Sequence, residues 1–369
     1  MNLALVISEL PAGGAQRVLS VLANQWAARG RRVTLITLAA AGDDSFRLDP
    51  SIRRVGLGLR RPARGWLEGL WNNARRWRAL RSALRQAGPD LVLSFVAETN
   101  VLTLLSCAAL SLPVIVSERS DPGRYPLGRA WSWLRRRLYP GALGVVVQTE
   151  SARAGMRRAA PGARLEVIPN PALLPEGDPL RGPGPPERGP FVVGIGRLSR
   201  EKGFDLLLRA FARCAPGHQG WSLVLVGDGP EREALAALAA DLGLAARVRF
   251  AGLVPDPGRI VRRAALFVLP SRYEGFPNAL LEAMACGLAV IAADCPSGPR
   301  EIVEHERNGL LVPPDDPSAL AAAMDRLMAD EAARRRLGER AVAVLERFNL
   351  NAVMGMWEAL MARAARERS

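Results

Sequence analysis

Short apolar, β-branched runs, each followed by a loop and a helical pattern, recur along both halves of this 369-residue chain. A strand that reads apolar throughout has to be buried on both faces, so the pattern calls for parallel sheets covered by helices on each side. In the first half, strands are expected at Leu3–Ser8, Val33–Leu38, Leu91–Phe95, Val114–Ser117 and Gly144–Gln148, with a helix over Gln16–Arg29 ended by Gly30. In the second half the expected strands are Phe191–Ile195, Leu223–Val226, Val248–Phe250, Leu266–Leu269 and Ala289–Ala292. The stretch from Pro175 to Pro190 is too dense in proline and glycine for a helix or a central strand and reads as a linker. The expected fold class is therefore α/β, with two Rossmann-like, doubly wound domains over residues 1–172 and 191–349 and a linker over 173–190. Open sheets of this kind bind ligands at their strand carboxyl ends, which points to a cleft between the two domains. A last helical pattern near 350–369 is expected to pack back on the first domain.

Composition narrows the partners. Lysine plus arginine number 50 against 36 acidic residues, a net +14, and Lys202 is the only lysine. Residues 1–172 carry 25 arginines against 11 acids, so that half holds +14; the remainder, 25 against 25, is neutral. A basic first half is built to face something anionic: a membrane, a nucleic acid or a phosphorylated substrate. Four scattered cysteines without a CxxC pair and two distant histidines argue against a disulfide scaffold, a zinc ribbon or a histidine metal site. The longest greasy run, Val101 to Val116, is broken by Ser106, Ser111 and Pro113 and falls short of about 20 apolar residues. The expected location is cytoplasmic, at the inner face of the cell membrane.

Two loops carry candidate chemistry. Gly194-Ile-Gly-Arg-Leu-Ser-Arg-Glu-Lys-Gly203 follows a strand and precedes the helical pattern Phe204–Ala215. Arg197 and Lys202 at such a strand-to-helix loop suit an anionic phosphate, and an ammonium can act as a point charge where a planar guanidinium does not fit; the alternative is a solvated turn with one lysine left by chance. Glu274-Gly-Phe-Pro-Asn-Ala-Leu-Leu-Glu282 follows another strand and opens a helix, with Pro277 near its start and Gly287 beyond its end. Asn278 and Glu282 are four apart and share a helix face. Carboxylates at this place, each accepting from several donors, suit sugar hydroxyls; capping or surface solvation is the plainer reading of such a pair.

Together, Glu274-x7-Glu282, Arg197 and Lys202, Gly13-Gly14-Ala-Gln-Arg, Gly227-Asp-Gly-Pro-Glu-Arg232 and Val167-Ile-Pro-Asn-Pro171 resemble the retaining glycosyltransferases of family 4, which have the GT-B fold. Ser117-Glu-Arg-Ser-Asp-Pro122 and Asp294-Cys-Pro-Ser-Gly-Pro-Arg-Glu-Ile302 are similar to a bacterial subgroup that adds N-acetylgalactosamine or related sugars to polyprenyl-diphosphate-linked glycans. The resemblance implies a nucleoside-diphosphate-sugar donor, UDP-HexNAc in this subgroup, and no cofactor. It implies that Gly13 and Gly14 admit close approach of backbone amides to the donor diphosphate or to the acceptor, and that Arg197 and Lys202 neutralise the donor diphosphate. Glu274 meets the transferred sugar beside the backbone of Phe276, Pro277 and Asn278; Glu282 accepts from the ribose; Gly252, Leu253 and Val254 line the base. Many relatives place a histidine where this chain has Ser117-Glu118-Arg119, so Glu118 and Arg119 are the candidates for its polar contact. No Asp-x-Asp occurs, so a bound metal is not expected.

The basic half suggests the acceptor side. Arg60 to Arg85 holds eight arginines, one acid (Glu68) and Trp66, Trp71 and Trp77, with Leu67, Leu70, Ala74, Trp77, Leu80 and Leu84 at helical spacing. Leu127 to Leu138 repeats the theme beside Arg135-Arg-Arg137. Such helices can lie in an anionic interface, so Arg75, Arg76, Arg78, Arg135, Arg136 and Arg137 are candidates for membrane and lipid-phosphate contact. The alternative is two ordinary helices packed on the sheet. A nucleic-acid-binding protein, suggested by the pI of about 11.1, lacks any recognisable motif and is not expected. A nucleotide-sugar epimerase or hydrolase of the same fold remains the rival reaction.

Overall fold

A computed structural model describes residues 1–11, 13–42, 44–60, 65–120, 122–123, 127–174, 189–254 and 256–366. The expected linker over 173–190 falls almost wholly outside the described residues. The chain divides into two compact units, one of Met1–Asn170 together with the chain from Val353 onward, the other of Pro171–Ala352.

The first unit is built on strands β1 (Asn2–Ile7), β2 (Arg32–Thr37), β3 (Arg53–Gly56), β4 (Leu91–Phe95), β5 (Val114–Ser117), β6 (Gly144–Val147) and β7 (Leu165–Val167). They form one parallel sheet in the order β3-β2-β1-β4-β5-β6-β7. Strands β3 and β7 are additions to the sequence reading. Both are edge strands of half-exposed residues, and β3 reads Arg-Arg-Val-Gly, so neither has the apolar run that marks a central strand. On one face, Ala4, Val6, Val92, Val114, Val116, Val145 and Val147 join Leu80, Leu84 and Val101 from helices in a single core.

The second unit uses β8 (Phe191–Ile195), β9 (Ser222–Val226), β10 (Val248–Gly252), β11 (Leu266–Leu269), β12 (Val290–Ala293) and β13 (Leu310–Val312). Its parallel sheet runs β10-β9-β8-β11-β12-β13. Here the double burial can be followed residue by residue. Val192, Leu223, Leu225, Leu266, Val268 and Ile291 lie in one core cluster, while their alternates Phe191, Val193, Val224, Val226, Phe267 and Val290 lie in another. Successive side chains of a strand point to opposite faces, and both faces are covered.

In each sheet the order reverses direction once. The reversal falls between β1 and β4 in the first unit and between β8 and β11 in the second. Loops leaving the carboxyl ends of those strands part to opposite faces and leave a crevice between them. The loops after β8 and β11 are the two that the sequence singled out.

The helix Leu350–Arg366 belongs, from Val353 on, with the first unit. Trp357 is its anchor, edge-on to Trp26 with ring centroids 6.2 Å apart and stacked on Phe95 at 6.0 Å. Trp26 Nε1 donates to Glu358 Oε1 at 3.0 Å, and Arg363 pairs with Glu166 at 2.7 Å.

Candidate functional site

In the second unit the strand reversal brings together residues 72 apart in sequence. Lys202 Nζ donates to both carboxylate oxygens of Glu274, each at 2.8 Å, and Ser271 Oγ donates to Glu274 Oε1 at 2.6 Å. The Glu274 side chain is 5% exposed and that of Lys202 25%, so the carboxylate is the more deeply buried partner. A buried carboxylate is tolerable only when paired and hydrogen-bonded, and here both conditions hold.

Local structure explains why Lys202 lies there. Residues Arg200–Lys202 form one tight 3-10 turn that ends at Gly203, whose φ is +66°. A β-carbon on Gly203 would come within 2.2 Å of the Pro270 carbonyl oxygen, so only glycine lets this turn pass so close to the end of β11. Arg272 ties the two loops from the other side. Its backbone N–H donates to the Glu201 carbonyl at 2.8 Å, Nη1 donates to the Arg200 carbonyl at 2.7 Å, and both Nη atoms meet Asp205 at 2.8 Å. Its Nε reaches Asp315 at 2.7 Å. Neither Ser271 nor Arg272 stood out in the sequence, because each serves by position within a loop rather than by spacing. Arg197 is exposed on the loop after β8.

The Glu274 loop leads into the helix Asn278–Ala285, with Pro277 as its N-cap residue and no side-chain cap. Gly287, at φ +75°, closes the far end. Its N–H donates to Met284 O and the next N–H to Ala283 O, a glycine stop that satisfies two terminal carbonyls. Phe276 is buried, edge-on to Phe348 at 6.0 Å. Asn278 and Glu282 are both half-buried and both already engaged in interactions. Gly252 ends β10, two strands from the reversal, and Leu253 and Val254 follow it; Gly252 accepts from the Gly227 N–H at 2.9 Å, Val254 is partly buried and Leu253 is 71% exposed.

In the first unit, Gly13 is the N-cap of the helix Gly14–Ala28, in extended conformation and without a side-chain cap, on the loop that leaves β1. The pair Glu118 and Arg119 splits. Glu118 is buried, accepts from the Tyr139 hydroxyl and faces Arg135. Burial raises its pKa above the ordinary 4.5, with Glu98 adding to the rise and Tyr139 and Arg135 opposing it. Asn100 Nδ2 completes the cluster, donating to Tyr139 Oη at 3.2 Å and to the Ser117 carbonyl at 3.0 Å. Glu118 is thus committed to the interior. Arg119 Nη1 donates to Asn170 Oδ1 at 2.6 Å, and its guanidinium lies over the Phe95 ring, 4.2 Å from the centroid. Burial brings its pKa from 12.5 to about 9, so it stays charged at neutral pH.

The six arginines expected to face a membrane do not share one environment. Arg75, Arg78, Arg136 and Arg137 are exposed. Arg76 is half-buried, donating to the Leu59 carbonyl at 3.1 Å and to Asn73 at 3.0 Å. Arg135 is a correction: it is 5% exposed, because the helix Arg129–Leu138 turns it towards buried Glu118 rather than outward. The helix Trp66–Ala87 is also divided, with Leu80 and Leu84 in the core and Trp66, Leu67, Leu70 and Trp71 60% to 75% exposed. No helix among the described residues is long and apolar enough to cross a membrane.

Two family models match consecutive stretches of the chain: a glycosyl transferase 4-like domain over residues 13–171 and glycosyl transferases group 1 over residues 180–343. A Streptomyces coelicolor exopolysaccharide phosphotransferase is 34% identical over 78% of this chain, which spans 30% of that relative's length. The Campylobacter jejuni GalNAc-alpha-(1->4)-GalNAc-alpha-(1->3)-diNAcBac-PP-undecaprenol alpha-1,4-N-acetyl-D-galactosaminyltransferase is 27% identical over 98% of both chains. Among solved structures, sucrose-phosphate synthase from Thermosynechococcus elongatus superposes with a TM-score of 0.82 at 25% identity, covering 100% of this chain and 99% of its own. Anabaena HepE, solved with UDP and glucose, has a TM-score of 0.80 at 22% identity over 98% and 99% of the two chains and shares the fold. With a 4-like domain followed by a group 1 domain, each on its own parallel Rossmann-like sheet, the chain belongs to the glycosyltransferases of the GT-B fold.

Proposed function

We propose that this glycosyltransferase moves a HexNAc or hexose from a nucleoside diphosphate, UDP by the subgroup resemblance, to a polyprenyl-diphosphate-linked glycan, with retention at the anomeric carbon. The observation that carries the reading is the Lys202–Glu274–Ser271 cluster at the strand reversal of the second sheet. The hardest charge to bear in glycosyl transfer is the one growing on the leaving diphosphate. Fixed cations in a partly dry crevice stabilise it more than mobile water does. Lys202 has three N–H donors, so it can keep its bond to Glu274 while another N–H takes a phosphate oxygen. Exposed Arg197 adds charge from the same loop, and Glu274, oriented by Ser271, accepts from a hydroxyl of the transferred sugar. A covalent glycosyl-enzyme route would need a carboxylate on the far side of the anomeric carbon. Same-face attack, with the departing phosphate taking the acceptor's proton, needs none.

We assign the first unit to the acceptor and to an anionic membrane surface. Supporting this are the +14 charge of residues 1–172 and the exposed Trp66, Leu67, Leu70 and Trp71 on the same helix as exposed Arg75 and Arg78. Apolar side chains next to cations suit the boundary between headgroups and acyl chains. The decisive experiment incubates purified protein with a panel of nucleotide sugars and a short polyprenyl-diphosphate glycan, and weighs the product by mass spectrometry. Addition of one sugar mass to the lipid-linked glycan is expected. Donor consumption without acceptor growth would favour a hydrolase or epimerase instead.

A further inference from the structure

Arg119, one of the two candidates for a polar contact after β5, is held in a fixed place and plane. Arg119 stands two residues beyond β5, Phe95 is the last residue of β4, and Asn170 lies three residues beyond β7. All three occupy the carboxyl-end edge of the first sheet, the edge at which open sheets bind ligands. Asn170 holds Nη1 of Arg119 and the Phe95 ring carries its flat face, so position and plane are both set. What remains is one side of the guanidinium. Nε and Nη2 are shielded from solvent and have no hydrogen-bond partner among the described residues. Those two N–H groups point the same way and match two oxygens of one anion. The residue as a whole is only half-buried.

Two neighbours sharpen the point. Glu118, the nearest carboxylate in sequence, is taken by Tyr139 and Arg135 and does not neutralise Arg119. Val96, directly after Phe95, has φ +77°, a conformation that a β-branched residue rarely adopts, and such strain gathers at functional sites.

We propose that the Nε–Nη2 edge of Arg119 is a binding site in the first unit for a phosphate group of a diphosphate. This deepens the functional reading above and rests on it, since both proposed substrates carry a diphosphate. The phosphate could belong to the lipid-linked acceptor or to the nucleotide. A nucleotide phosphate would make Arg119 a donor contact; an acceptor phosphate would make it a contact for the lipid-linked glycan.

The test is titration calorimetry on the full chain and on Arg119→Lys, Arg119→Met and Lys202→Ala, with inorganic pyrophosphate, UDP and a short-chain polyprenyl diphosphate in detergent as probes. Arg119→Lys keeps the charge but loses the paired donors; Arg119→Met keeps the stack on Phe95 and removes the charge. Both are expected to weaken at least one of the organic diphosphates by about tenfold or more. Loss for the polyprenyl probe alone, with Lys202→Ala unaffected there, identifies the acceptor; loss for UDP identifies the donor. If Arg119→Met does not fold, judged by near-UV circular dichroism, Arg119→Lys decides. Affinities within twofold of native for every probe in the folded Arg119 variants would overturn the site, leaving a Lys202-dependent UDP affinity and the functional reading intact. A native chain that binds no nucleoside diphosphate would instead overturn the functional reading.

Discussion

At the scale of single residues, the proposed chemistry rests on a buried carboxylate, Glu274, paired with a part-exposed ammonium, Lys202. Arg197, Lys202 and Glu274 drew attention because they sit in strand-to-helix loops, and Glu282 because it shares a helix face with Asn278. The partners did not. Ser271, Arg272 and Asn170 act through where the loops fall, and no spacing rule anticipates a hydrogen bond between residues 72 apart. Replacing Lys202 with Ala is expected to lower turnover more than about tenfold in a chain that still folds, and to lower the melting temperature as well, because it leaves the buried Glu274 carboxylate without its cation. Near-normal turnover would remove the phosphate clamp. Glu118 gives a pH prediction. Its folded pKa is raised, so the folded state binds more protons than the unfolded chain above the ordinary value of 4.5. Stability contributed at this site is therefore lost as pH rises from there to the folded pKa. Glu118→Gln cannot titrate and keeps an acceptor for Tyr139. The native chain should lose melting temperature relative to Glu118→Gln as pH climbs from 4 towards neutrality, and parallel curves would contradict the assignment.

At the scale of elements, one helix shows how far periodicity reaches. The repeat Leu67, Leu70, Ala74, Trp77, Leu80, Leu84 marks a helix, and the structure has one over Trp66–Ala87. Periodicity alone gives no hint that the stripe changes role along its length, core at Leu80 and Leu84 and solvent-facing at Leu67 and Leu70. Burial depends on where the sheet ends, which is a tertiary fact. The changed role yields a prediction. Replacing Trp66 and Trp71 with Ser should abolish flotation with anionic liposomes while shifting the melting temperature by no more than about 1 °C, because neither ring is packed. Undiminished flotation would place the membrane contact elsewhere. Edge strands were the other blind spot. Three-residue β7 and β13 and arginine-led β3 are recruited by hydrogen bonding to a neighbour, not by their own pattern.

For the whole molecule, the alternation of strand and helix was enough to give two parallel, doubly wound sheets, because an all-apolar strand has nowhere to go except between two helical layers. The final helix needed the structure. Trp357, 1% exposed between Trp26 and Phe95, closes the first unit with residues that the chain supplies only after completing the second. Trp357→Ala should cost about 3–5 kcal/mol in urea unfolding. The loss should appear as an earlier transition of the first unit, and an unmoved midpoint would deny the helix that role. What the sequence determined by itself was fold class, charge asymmetry and the chemical types in the two loops, since these follow from local periodicity and residue identity. What the tertiary structure decided was which of those residues meet. Lys202 on Glu274, Arg119 on Phe95 and Arg135 turned towards Glu118 are products of strand order, and strand order is set by packing between segments far apart in the chain.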